Sequence, residues 1–130
     1  MPPATPQSWK DEPEDHDYPA AEAYLSLLMP PATAQRMVRQ LRSAPLVRRK
    51  AKDLLRASGL PVLPSDNFHV ALDLQKIESG KRLSPVLLVR GHLASGTPLT
   101  VADGYHRICA SHHLEEDAEI PCRIADLQKR

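Results

Sequence analysis

The sequence has few aromatic residues, few cysteines and no long apolar run. Its 130 residues include one tryptophan, three tyrosines, one phenylalanine and two cysteines. Two cysteines are too few for a disulfide framework, which favours a reducing compartment. No apolar run approaches the roughly 18 residues that a transmembrane helix requires, and the first residues lack the basic and apolar regions of a signal peptide. We therefore expect a cytoplasmic protein without a membrane partner.

Neither sign of charge dominates the chain as a whole. Lysine and arginine number 17, against 16 aspartates and glutamates. This balance excludes a uniformly basic arm and a uniformly acidic disordered chain. Hydrophobic residues make up 42% of the sequence, which is enough for one hydrophobic core in a chain of this length.

The two signs of charge are nevertheless separated along the N-terminal part. Residues 1–18 are rich in proline and acids, and we interpret them as a flexible tail because such a composition buries too little apolar surface to offset chain entropy. Residues 36–56 are instead strongly basic. Helical spacing of apolar residues predicts a helical extension over residues 19–59 with a basic face. Its three helices are expected at residues 20–29, from about residue 33 to 44, and from about residue 46 to 58.

Residues 60–130 have a different pattern, in which helices and strands are mixed. A helix is predicted from Ser65 or Asp66 to Gly80, followed by a fully apolar strand at residues 86–89. A second strand at residues 99–102, a helix at 105–114 and a strand at 119–124 complete the predicted order. The sequence therefore predicts an α+β domain, a small mixed sheet with flanking helices, preceded by the N-terminal helices.

The most informative stretch is the predicted passage from a strand through Asp103 and Gly104 into the last helix. The first N–H groups of a helix have no internal partner, and the helix dipole makes that end positive. Gly104 has no Cβ, so a ligand oxygen can approach the backbone, and His106 and Arg107 add donors in the same turn. This pattern favours an anion site, above all for phosphate.

A purely structural interpretation of the same stretch is also open. Asp103 can serve only as a helix cap, Gly104 only as a turn residue, and Arg107 can pair with Asp126 or with a helix acid. Asp103 would also repel an anion unless it pairs with a base, accepts a ribose hydroxyl or holds a metal ion. An anion site therefore requires a corner that side chains do not fill and an Arg107 that does not point into a permanent internal ion pair.

Residues from about 60 to 127 resemble the ParB/sulfiredoxin-like superfamily in the order and spacing of their motifs. The shared features are a Gly-x-x-Arg-x-x-Ala pattern at the start of a helix, a short strand with a proline after it, and a proline-led apolar strand upstream. In this sequence they are Gly104, Arg107 and Ala110, then residues 120–124, and residues 84–89.

This resemblance implies a nucleotide site. The Gly-x-x-Arg turn typically holds the phosphates of CTP in ParB proteins and of ATP in sulfiredoxins, and the preceding helix borders it. The corresponding candidate ligands are Gly104, Tyr105, His106, Arg107, His69 and Lys76. Sulfiredoxins have their catalytic cysteine directly before His-Arg, where this chain has Tyr105, so we expect no sulfinic-acid repair. Partition ParB proteins continue into a DNA-binding domain, whereas this sequence ends at Arg130, so we expect no partition role.

The resemblance therefore predicts a nucleotide-binding domain, with a nucleoside triphosphate and Mg²⁺ as the expected cofactors. Hydrolysis or transfer of a phosphoryl group is the reaction open to it, and Asp103 is the candidate catalytic residue. The alternative is a non-catalytic nucleic-acid-associated module that uses its basic helices. The residues that would carry it are Arg36, Arg39, Arg48, Arg49, Lys52 and Arg56. These bases can also form a solvated face or contact the acidic tail, and the histidines and cysteines show no recognised grouping for a protein-bound metal.

Overall fold

The computed structural model describes residues 8–128 and has an α+β fold, as predicted. The helices are α1 (Asp17–Leu25), α2 (Pro31–Ser43), α3 (Ala51–Ser58), α4 (Phe68–Glu78) and α5 (Tyr105–Leu114). The strands are β1 (Val47–Lys50), β2 (Val86–Val89), β3 (Thr100–Asp103) and β4 (Glu119–Ala125), and a single 3-10 turn covers Leu93–Ser95. Within the described range, no helix has the length and apolar content needed to cross a membrane.

The four strands form one mixed sheet in the order β1-β4-β2-β3. Strand β2 runs parallel to β4 and antiparallel to β3, while β1 is antiparallel to β4 at the other edge. Val86 and Leu88 pack on the face covered by α3, α4 and α5, whereas Leu87 and Val89 pack against α1 and α2. Both faces of β2 are therefore covered, which is why its sequence is apolar without interruption.

The predicted third helix is wrong over its first part. Residues 47–50 form the edge strand β1, which pairs with β4 through Val47 opposite Cys122 and Lys50 opposite Glu119. Only Ala51–Ser58 is helical. Helix propensity is a weak preference, and pairing with a distant strand overrides it here. Residues 19–59, predicted as a helical extension, and residues 60–130, predicted as an α+β domain, therefore contribute strands to the same sheet.

The prediction of a flexible tail is also wrong for residues 8–18, and residues 1–7 lie outside the described residues. Ser8 and Lys10 form backbone hydrogen bonds with Leu83 of 3.2 and 2.8 Å, and Trp9 packs against the core. Asp17, at the start of α1, is 3% exposed and accepts a hydrogen bond of 2.7 Å from the Ser84 hydroxyl. The acidic segment is ordered because these few residues find partners beside β2.

Helix α4 begins later than predicted. The side chain of Asn67, rather than Ser65 or Asp66, accepts hydrogen bonds from the backbone N–H groups of His69 and Val70 at 3.1 and 3.2 Å. This cap satisfies donors that the first turn of a helix leaves without internal partners. It also fixes where His69 lies in the first turn.

Replacing Trp9 with alanine should lower the free energy of unfolding by about 1–2 kcal/mol, because a partly buried aromatic ring leaves the core. Asp11→Ala, an exposed change in the same segment, is the control and should have an effect below about 0.5 kcal/mol. Urea denaturation followed by circular dichroism measures both variants. Equal midpoints for Trp9→Ala and the parent would show that the segment does not dock.

Candidate functional site

The turn between β3 and α5 requires a glycine. Gly104 has a φ of +111°, a conformation that L-residues with a Cβ rarely adopt. A Cβ at this position would lie 2.5 Å from the Val86 Cγ1 atom and 2.9 Å from the Arg107 Nη2 atom. The turn can therefore pack directly on β2 only because the side chain is absent.

An open cleft lies between this turn and helix α4. It has a volume of about 220 Å³. Its lining comprises His69, Leu72, Asp73, Lys76, Asp103, Gly104, His106 and Arg107. The corner is therefore not filled by side chains, and five of the six candidate phosphate ligands lie around one space. Tyr105 does not line it, because its hydroxyl donates a hydrogen bond of 2.5 Å to the Pro61 carbonyl.

Arg107 forms an ion pair inside the cleft. Its Nη2 atom donates to Asp103 Oδ2 at 3.1 Å and to the Pro85 carbonyl at 3.3 Å. Its Nε atom is buried without a hydrogen-bond partner. Asp126, the other expected partner, instead pairs with Arg90 at 3.3 Å. Arg107 is therefore engaged on one side, while its side chain, 17% exposed, still lines the open space.

The Asp103 carboxyl has a pKa above its ordinary value. Burial raises its pKa, and this effect outweighs the attraction of Arg107 that acts in the opposite direction. The neighbouring Asp17 carboxyl, which lies within hydrogen-bonding reach, raises the pKa of Asp103 further. Burial and the Asp17 carboxyl therefore both oppose the charged form of Asp103 that pairs with Arg107.

Two more groups in the cleft have shifted pKa values. Burial raises the pKa of Asp73, and burial lowers the pKa of His106, with a further lowering from the nearby His69. Several perturbed groups in one cleft are typical of functional sites, although ion-pair networks also produce them. Sequence reasoning missed Asp73, whose signal was its spacing on α4, four residues after His69 and three before Lys76.

A second, smaller cavity of about 100 Å³ adjoins the first. Asp73, Lys76 and Arg107 line both spaces. The remainder of its lining is Glu14, His16, Asp17, Arg82, Leu83 and Ser84. One potential ligand atom from each of Glu14, His16 and Asp17 lies within 4.8 Å of the others. The segment interpreted as a tail therefore forms one wall of a cavity next to the cleft.

The basic residues considered for nucleic acid do not all lie on helices, as the predicted basic helical face requires. Arg48 and Arg49 lie on the exposed edge strand β1, apart from the helical residues. Lys52 pairs with Asp117 at 2.7 Å. Arg56 pairs with Asp53 at 3.3 Å. Because Val47–Lys50 is a strand, Arg48 does not share a helix with Lys52 and Arg56, and the predicted basic helical face is wrong at this end.

Helix α2 carries the remaining two bases, Arg36 and Arg39. They belong to a different element from β1 and α3, so the six bases are distributed over three elements. Nucleic-acid binding through these residues stays a prediction.

Comparison with protein-family models, curated proteins and solved structures finds no match to this chain.

Replacing Gly104 with alanine should destabilise the fold more than the same change at Gly96. Gly96 also has a positive φ, of +73°, but a Cβ there meets nothing within 4 Å. We expect Gly96→Ala to lower the free energy of unfolding by about 1–2 kcal/mol from backbone strain alone. Gly104→Ala should lose about 1–3 kcal/mol more through the contact with Val86. Chemical denaturation measures both, and equal losses would contradict this account.

Proposed function

We propose that this protein binds a nucleotide through its phosphate groups, in the cleft between α4 and the β3–α5 turn. One observation carries the proposal: Lys76 and Arg107, together with two histidines, converge on an open space at the N-terminus of α5. Helix N-termini and arginine forks are both suited to phosphate oxygens. Membership of the ParB/sulfiredoxin-like superfamily remains part of this proposal, and the Gly104-x-x-Arg107 turn at a strand–helix junction supports it.

Binding of a phosphate involves a change of partner for Arg107. In the structure its guanidinium pairs with Asp103, whose negative charge would repel an incoming anion. Burial already disfavours the charged form of Asp103, so loss of the arginine favours protonation of the carboxyl over an unpaired, partly buried charge. The Arg107 guanidinium and the Lys76 ammonium then both bind the phosphate. The Lys76 side chain is half exposed.

The carboxyl groups of the cleft also fit the Mg²⁺ that accompanies nucleoside triphosphates. Mg²⁺ prefers oxygen ligands and commonly uses one or two carboxylates together with substrate phosphates. Asp73 and Asp103 line the same space and would hold the ion, which would neutralise phosphate charge when bound. Hydrolysis or transfer of a phosphoryl group is the reaction we propose, with Asp103 as its candidate catalytic residue; such catalysis depends mainly on positioning and charge neutralisation.

Removing either phosphate-binding cation should weaken nucleotide binding. We expect Arg107→Gln to lower the affinity for nucleoside triphosphates by about tenfold to a hundredfold, as is typical for the loss of a charged hydrogen bond. Lys76→Gln should lower it severalfold, and its half-exposed position makes misfolding an inadequate explanation. Isothermal titration calorimetry with CTP, ATP and GTP, with and without Mg²⁺, measures this.

The matched control is Arg90→Gln, since Arg90 is also ion-paired but lies outside the cleft lining. Its affinity should equal that of the parent. If the Arg107→Gln and Lys76→Gln variants bind nucleotides as tightly as the parent, the proposed function is wrong.

Replacing Asp103 with asparagine should strengthen the binding of sulfate in the absence of Mg²⁺. At pH 7 the change removes a negative charge that competes for Arg107, and we expect a gain of about threefold to tenfold. The pKa of Asp103 is raised above its usual value, so this carboxyl in the parent protein becomes protonated at a higher pH than an ordinary aspartate does. The gain should therefore shrink as the pH falls towards 4. Calorimetry with sulfate, whose charge stays constant over this range, tests the trend, and a gain that grows in acid would contradict it.

A further inference from the structure

Four rings form a row, of which the middle two line the cleft. The ring centroids of Phe68 and His69 are 5.4 Å apart, those of His69 and His106 are 4.7 Å apart, and those of His106 and Tyr105 are 5.7 Å apart. The row joins the first turn of α4 to the first turn of α5. His69 and His106 also line the cleft, so the row and the candidate phosphate site share two side chains.

Phe68 has no evident structural role. It is the only phenylalanine of the sequence, and it is 70% exposed. It belongs to neither cluster of the hydrophobic core. Leu72, one turn further along α4, is 39% exposed and lines the cleft beside it. Phe68 does not itself line the cleft, but its ring contacts that of His69, which does. Phe68 and Leu72 therefore offer the apolar surface that the charged part of the site lacks.

The character of α4 changes along the cleft. Its first turn presents Phe68 and His69, whereas Asp73 and Lys76 follow towards its C-terminal end. His69 and Lys76 are seven residues apart, which corresponds to about 10 Å along a helix. A nucleotide has the same polarity, with a flat base at one end and phosphates at the other, and it spans a comparable distance.

We propose that the ring row is a nucleobase subsite, in which the base of the ligand stacks on Phe68 while its phosphates lie at Lys76 and Arg107. Because the His69 ring is nearly perpendicular to that of Phe68, the same base would meet His69 in an edge-to-face contact. This inference rests on the proposed function and adds to it the subsite by which a nucleoside phosphate would be distinguished from a sugar phosphate or inorganic phosphate. Stacking uses the π face that every base has. The row therefore explains why a ligand that carries a base would bind more tightly than one that lacks it, whichever base it is.

Two ligands that differ only in the base test the subsite. Adenosine 5′-monophosphate and ribose 5-phosphate share the sugar and phosphate, so the ratio of their affinities measures the contribution of the base. Titrations of the full chain, followed by NMR chemical shifts, should give a ratio of about ten or more, the usual order for one stacked base. Phe68→Leu should reduce the ratio by at least about threefold, and Phe68→Tyr should retain it.

Two controls separate this inference from the proposed function. Leu93→Ala changes another highly exposed apolar side chain, 96% exposed and outside the cleft lining, and should leave the ratio unaltered. Arg107→Gln should weaken both ligands equally. If both ligands bind through Arg107 with equal affinity, or if Phe68→Leu retains the ratio, the base subsite is wrong while phosphate binding stands. If neither ligand depends on Arg107, both proposals are wrong.

Discussion

The contact between Gly104 and Val86 is the constraint on which the rest of the site depends. Because Gly104 has no Cβ and a positive φ, the chain leaves β3, turns against β2 and enters α5 at once. The third residue of α5 is Arg107, whose side chain returns to the end of β3 to meet Asp103 and the Pro85 carbonyl. The same turn brings the start of α5 opposite α4, so the packing of the fold and the opening of the cleft have one cause.

Favourable and unfavourable electrostatic interactions compete around Asp103, Arg107 and Asp17. Arg107 attracts Asp103, while burial and the nearby Asp17 carboxyl oppose the charged form of Asp103. A partly buried ion pair gains stability only when its attraction exceeds the desolvation of both groups. In this corner the Arg107 Nε atom is also buried without a partner. A corner with such competing interactions is stabilised less than a fully satisfied network would be, and such local conflict is typical of functional sites.

The sequence predicts the features that depend on local interactions. The apolar run of β2 and the Gly104 turn into α5 have strong local signals, and both were predicted correctly. Strand β1 was missed because its structure depends on β4: the Cys122 thiol donates to the Val47 carbonyl from 75 residues away. Composition predicts disorder for residues 8–18, yet Trp9 and Asp17 are fixed by contacts near β2. Asp73 lines the cleft only because the fold places the β3–α5 turn opposite α4.

Because of these long-range contacts, the proposed binding of an anion is coupled to the protonation of Asp103. In the proposed complex without Mg²⁺, Arg107 leaves Asp103 for the phosphate, and a second negative charge arrives beside the carboxyl. Both changes favour the protonated form of Asp103, whose pKa is already raised in the free protein. Anion binding and proton uptake at Asp103 are then linked, and linkage is reciprocal. Since the Asp17 carboxyl shares in this balance, the N-terminal segment that carries it takes part in the electrostatics of the cleft.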